Sequence, residues 1–130
     1  MTYDVVIVGS GPAGLSAALA LGIACNLLVC LAVWAAFSGR TTTDKILALV
    51  GPVALFVATG FEHSVANMFL VPLAILIQPE LAPVGFGPLT WGHFLVANLI
   101  PVTLGNIIGG GLMIGLFYWL VFRPKRDAAR

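Results

Sequence analysis

The sequence predicts an all-α transmembrane protein with three membrane-spanning helices, the middle one broken. Three observations carry this. Hydrophobic residues make up 60% of the 130-residue chain and charged residues 8%, where a soluble domain carries about 25% charged residues. Apolar stretches long enough to cross a bilayer alternate with short polar or Pro/Gly-rich segments. The longest of them, residues 46–77, carries Gly60-Phe61-Glu62-His63 at its centre. As one straight helix it would reach about 48 Å, against a hydrocarbon core of about 30 Å. Ionisable groups at that depth cost about 2.5–3.5 kcal/mol each on insertion scales. Irregular backbone persists there only where it is buried in protein or lines a cavity. A broken helix with a histidine at its centre is the pattern of a transporter or channel site.

The first element, residues 1–20, reads MTYDVVIVGSGPAGLSAALA. Residues 3–8 have the β-branched content of a strand. Gly9-Ser10-Gly11-Pro12-Ala13-Gly14 follows and opens an alanine-rich helix. That order is the dinucleotide-binding fingerprint, with Gly9, Gly11 and Gly14 as the glycines that would face a pyrophosphate. The stretch resembles the N-terminus of FAD-dependent oxidoreductases of the thioredoxin-reductase type. The fingerprint is not completed. An acidic residue about 20 positions further on should hold the ribose, and none occurs between Asp4 and Asp44. The expectation is a non-functional leader that binds no cofactor, with a fragment of an FAD-dependent oxidoreductase as the alternative reading. The absence of Lys and Arg before the apolar run disfavours a secretory signal.

The membrane domain is expected over residues 21–123, with a basic tail at 124–130. The first span starts near Leu15 or Leu19 and ends at Phe37. Asn26 is its one strongly polar side chain, and an intramembrane Asn usually faces a neighbouring helix or a cavity. Trp34 marks the interface. Cys25 and Cys30 point in different directions around a helix and read as small buried residues, not a disulfide or metal pair. The loop 38–45 carries Arg40, Lys45 and Asp44, the last a cap for the next helix. The second span is the organising stretch, with further kinks at Gly51-Pro52 and Pro72. A Pro/Gly-rich loop over 78–93 includes His93, read as an interfacial bystander. The third span, Phe94 to Phe122, contains Gly105/Gly109 and Gly111/Gly115, two small-xxx-small pairs that let helices approach closely. Asn98 and Asn106 read as packing or helix-break residues.

All six Lys and Arg lie in the 38–45 loop or from Arg123 to the end of the chain. The positive-inside rule then puts both, and the C-terminus, in the cytoplasm. A formal net charge of +1 implies no nucleic-acid partner.

From about Gly22 onward the chain resembles the formate/nitrite transporter family. GIACNLLVCLAVW is similar to that family's fourth transmembrane helix, GFEHSVANMF to the centre of its broken fifth, and NLIPVTLGNIIGG to the entry of its sixth. The resemblance implies an aquaporin-like fold of two inverted three-helix repeats, of which this chain is the second, assembled as pentamers in a bacterial-type inner membrane. It implies a transporter of small monovalent anions such as formate and nitrite, and not an enzyme. Residue by residue, it makes His63 the central pore histidine, Asn26 the asparagine near it and Phe56 an aromatic constriction. Glu62 and Asn67 belong to the same motif. The family's first three helices, and the lysine before its fourth, have no counterpart here. An anion in an apolar pore is costly, and histidine is the side chain whose charge changes near physiological pH. His63 is therefore expected to attract the anion or pass it a proton, so that the neutral acid crosses constrictions such as Phe56.

Overall fold

The computed structural model describes residues 11–78 and 89–123. Within them the chain forms four helices, α1 (Pro12–Ser38), α2 (Thr42–Ala58), α3 (Ser64–Ile77) and α4 (Trp91–Phe122). No strand occurs among the described residues. Only α1 and α4, at 27 and 32 residues, are long and apolar enough to cross a bilayer alone. At 17 and 14 residues, α2 and α3 divide the expected second span between them.

α1 begins where Gly11 adopts an extended conformation as N-cap and Pro12 takes the first helical position, where its missing N–H is not needed. It then runs unbroken through residues 20 and 21. The expected division between leader and membrane domain thus falls inside a helix, which begins at Pro12, ahead of Leu15. Residues 3–8 and Gly9 of the fingerprint lie outside the described residues. Gly11 is the N-cap of α1 and Gly14 sits in its first turn.

α2 starts on a capping box. Thr41 is the N-cap, and its hydroxyl accepts from the Asp44 N–H at 3.1 Å, while the Asp44 carboxylate accepts from the Thr41 N–H at 2.9 Å. Asp44 therefore caps the helix from its third position. The N–H bonds from the Thr41 and Arg40 region hold its carboxyl below the ordinary value of 3.8, with Thr41 the larger cause. A depressed folded-state pKa stabilises above the unfolded value, and that stabilisation is lost as pH falls through the folded one. The carboxylate half of the box is thus present at neutral pH, and its stabilisation is lost as pH falls below the ordinary value of 3.8. Thr41→Ala is expected to cost about 1 kcal/mol at pH 7, read as a lower melting temperature of the solubilised chain. An unchanged melting temperature would show that the box contributes nothing.

α1 is the centre of the bundle, packed against α2 on one side and the middle of α4 on the other, while α3 packs on the start of α4. The α1–α4 seam is built from small residues. Ala18, Gly22, Cys25 and Ala32 are buried on α1, at spacings that place them along one helix face. Pro101, Val102, Gly105, Asn106, Gly109 and Gly110 are buried on α4. A Cβ on Gly22 would stand 2.8 Å from the Val102 carbonyl oxygen, and one on Gly105 or Gly109 would fall onto the α1 main chain at Leu19 or Ile23. The Gly105/Gly109 pair thus does what its spacing predicts. Gly111 and Gly115 do not: both are exposed, and a Cβ on either meets nothing closer than 3.5 Å.

α4 opens on Thr90, whose hydroxyl accepts from the His93 N–H at 3.2 Å. His93 therefore lies in the first helical turn, not in the preceding loop. Two stretches of α4 are wound as π-helix, Phe94–Leu99 and Ile107–Gly115. The first immediately precedes Pro101, which has no N–H for the turn below and whose ring crowds the carbonyl four residues back. Opposite, the Gln78 side chain closes the α3–α4 connection by bonding both the N–H and the carbonyl of Leu89 at 2.9 Å.

Candidate functional site

The site is built on the interruption between α2 and α3. Its first half is a Schellman closure. Gly60, with φ +67°, occupies the left-handed region that an L side chain rarely adopts. Its N–H reaches the Val57 carbonyl at 3.1 Å, and the Phe61 N–H reaches the Phe56 carbonyl at 3.0 Å, the pair of bonds that defines this helix end. The Thr59 hydroxyl adds a bond to the Leu55 carbonyl at 2.7 Å. The second half is the start of α3. His63 is its N-cap, and the imidazole Nδ1 accepts from the Val65 N–H at 3.2 Å. An acceptor nitrogen carries no proton, so the neutral ring bears its proton on Nε2. The Phe56 ring, on the last turns of α2, lies 5.9 Å from the His63 ring between centroids.

Glu62 is 9% exposed. Its carboxylate Oε2 accepts from the Asn67 amide at 2.5 Å and from the Asn98 amide at 3.2 Å. The Asn67 amide also reaches Asn98 Oδ1 at 2.8 Å, so the three side chains form a closed triangle linking the interruption to α3 and α4. These bonds give a buried polar oxygen the partners it needs in an apolar setting. The described basic residues, Arg40, Lys45 and Arg123, stand at or beyond helix ends.

A second network centres on Asn106, which is 6% exposed. Its Oδ1 accepts from the Ser64 N–H at 3.0 Å and from the Ser64 hydroxyl at 2.9 Å. Its Nδ2 donates to the Gly22 carbonyl at 2.9 Å and to the Glu62 carbonyl at 3.1 Å. Asn26 joins through the main chain of the same residue: its amide donates to the Asn106 carbonyl at 2.6 Å. Gly110 makes room for it, since a Cβ there would stand 2.6 Å from Asn26 Nδ2.

The structure thus brings His63, Phe56 and Glu62 together at the interruption. Asn26, expected to face His63, is bonded instead to the Asn106 carbonyl. Gly11 and Gly14 stand apart, in the first turn of α1. Sequence reasoning missed the weight carried by Asn106, Asn98 and Ser64. The available signal was three polar side chains set in apolar helices, each needing a partner at depth.

With this geometry in place, comparison with known proteins gives one consistent result. The profile of the formate/nitrite transporter family matches residues 6–120, starting within the stretch that resembles a dinucleotide-binding fingerprint. The formate channel FocA of Escherichia coli K12 is 52% identical over 120 residues, covering 85% of this chain and 42% of FocA. Its paralogue FocB is 46% identical over 114 residues, covering 80% of this chain and 40% of FocB. A probable formate transporter of Methanothermobacter thermautotrophicus is 45% identical over 100 residues, covering 77% and 33%. A solved pentameric formate channel with formate bound superposes with a TM-score of 0.71 at 52% identity, covering 81% of this chain and 45% of that one. The chain spans about two fifths of the length of the curated relatives it matches.

Proposed function

We infer from the chain's place in the formate/nitrite transporter family, to which it belongs by the match over residues 6–120, that it supplies the histidine-bearing half of a pore for small monovalent anions. Formate and nitrite are the substrate class, and the pore stands in a bacterial-type inner membrane. The observation that carries this is the imidazole of His63 at the interruption of an apolar helix pair, with Nδ1 tied to Val65 and the Phe56 ring beside it. In that arrangement Nε2–H is the ring's available donor. It can hydrogen-bond an anion that has left water, and a proton taken up by that anion from water makes the neutral acid, which crosses an apolar constriction at far lower cost. Phe56 acts as that constriction, and Asn26 and Glu62 hold the surrounding backbone and polar shell.

Half a fold encloses no pore. α2 buries none of its residues within this chain, and Ile46, Leu47, Val50, Leu55 and Val57 are exposed. Apolar surface of this extent needs lipid or further protein against it. We propose that α2 and α3 together make a third crossing, that helices equivalent to the rest of the relatives' length complete the pore, and that the completed unit forms a pentamer. The loop around Arg40 and Lys45 faces the cytoplasm with the C-terminus.

The test is formate flux in proteoliposomes. The chain co-assembled with the missing helices is expected to carry formate, while the chain alone stays at the level of empty vesicles. Protease is expected to reach the C-terminal tail only in vesicles whose cytoplasmic face points outward. A correctly assembled, oriented complex with no flux above empty vesicles overturns the reading.

A further inference from the structure

We propose that Asn106 is a positioning residue for His63, acting through the two peptide units that flank it. An interruption between two helices has no helical hydrogen bonds of its own. Its last carbonyls and first N–H groups are left without partners. Here one amide side chain, projecting from a different helix, takes both of those next to the histidine. The Glu62 carbonyl belongs to the peptide unit preceding the His63 Cα, and it accepts from Asn106 Nδ2 at 3.1 Å. The Ser64 N–H belongs to the peptide unit following it, and it donates to Asn106 Oδ1 at 3.0 Å. Fixing both units fixes the direction of the His63 Cα–Cβ bond. The bond from the Val65 N–H to Nδ1, at 3.2 Å, then sets the ring about its side-chain torsions. Nε2 is left with a defined direction.

The remaining bonds of Asn106 anchor the clamp itself. Nδ2 also donates to the Gly22 carbonyl of α1 at 2.9 Å, and Oδ1 also accepts from the Ser64 hydroxyl. Both amide hydrogens and both oxygen lone pairs are used, the full capacity of an asparagine. The group is buried at the α1–α4 seam, and Gly22 leaves it room: a Cβ on Gly22 would stand 3.3 Å from Asn106 Nδ2. The clamp is therefore fastened to that seam, and displacement of α4 or α1 at this level is passed to His63 without contact with the ring.

This inference rests on His63 handling the anion or its proton, and the test keeps the two apart. Asn106→Asp retains the oxygen that accepts from Ser64 but loses both donations; Asn106→Leu removes the whole clamp at similar volume; Ser64→Ala removes the hydroxyl bond and leaves both peptide bonds to Asn106. The first readout needs no transport. Nitrogen-15 spectra of histidine-labelled chain in nanodiscs are expected to show His63 as a single tautomer with Nδ1 accepting in the parent and in Ser64→Ala. In Asn106→Asp and Asn106→Leu the two ring nitrogens are expected to average. The second readout is formate flux per folded complex across pH, with the missing helices supplied. The two Asn106 variants are expected to lose on the order of a hundredfold, as misplacement of a reacting group by about 1 Å does, and to flatten the pH profile. Loss of folded protein alone would scale flux equally at every pH. An unchanged histidine spectrum in Asn106→Asp overturns the clamp. Averaged ring nitrogens with an unchanged pH profile overturn its functional consequence. Absence of flux in the parent, with the spectral difference present, would count against the transport reading alone.

Discussion

Gly109→Leu is expected to prevent the chain from reaching its folded state. A Cβ at this position falls onto the main chain of Ile23, and the nearest atoms are the Ile23 carbonyl group and Cα. Backbone in the middle of a helix cannot rotate away as a side chain can. Adding even a methylene to a well-packed core costs about 1–3 kcal/mol, and a leucine adds its whole side chain at a point where the main chains of α1 and α4 are in contact. Relief requires the helices to part along the whole seam, which also carries the bonds of Asn106 to Gly22 and Asn26. Gly111→Leu, two residues along, is the matched control. It faces outward, and the nearest atom to its Cβ is 3.9 Å away, on the Ile107 side chain. In the isolated chain Gly111→Leu is expected to give parental yield and melting temperature in size-exclusion and thermal-shift measurements, whereas Gly109→Leu aggregates and Gly109→Ala melts lower. Equal behaviour of Gly109→Leu and Gly111→Leu would show that the close approach of α1 and α4 does not hold the fold.

That pair of glycines also marks where the sequence stops being informative. Gly105/Gly109 and Gly111/Gly115 have the same spacing, and spacing alone cannot tell a seam from an outer face. In addition, Ile107–Gly115 is wound as π-helix, so the α-helical period loses its hold on which face Gly111 and Gly115 take. The interruption at residues 59–63 was legible because its causes are local. Gly60 supplies the left-handed backbone, and Glu62 and His63 are too polar to leave inside a continuous apolar helix. The capping of α2 was legible for the same reason, down to the involvement of Asp44. Asn106 was not. Its partners are 42, 44 and 84 residues away, and a lone asparagine in an apolar helix reveals only that it faces something other than lipid. Asn26 and His63, expected near one another, are both fastened to Asn106, the first to its carbonyl and the second through its neighbours. The start of α1 at Pro12 was obscured by a glycine-rich stretch whose local pattern is shared by a turn before a helix in two unrelated settings. A Gly-Pro helix start serves a membrane helix as well as a nucleotide site.

His63→Phe is expected to abolish pH-dependent formate flux in the completed pore, and the structure separates two reasons for the loss. The imidazole has two parts to separate: its Nδ1 caps α3 by accepting from the Val65 N–H, and its Nε2–H, which has no described acceptor, is in the proposed reading the donor offered to an anion. Phenylalanine keeps the ring and its stacking distance to Phe56 but removes both. A cap of this kind contributes on the order of 1 kcal/mol, enough to lower a melting temperature and far too little to remove transport from an otherwise folded complex. His63→Asn divides the two. Asparagine is among the best N-cap residues, so it restores the bond from Val65, yet unlike an imidazole its amide does not change charge near neutral pH. The expected pattern is therefore a lower melting temperature for His63→Phe only, with pH-dependent flux lost in both. Were the flux loss caused by a weakened α3, His63→Asn would transport normally. Parental flux and parental pH dependence in both variants would remove His63 from the mechanism, and restoration by His63→Asn would reduce it to a helix cap.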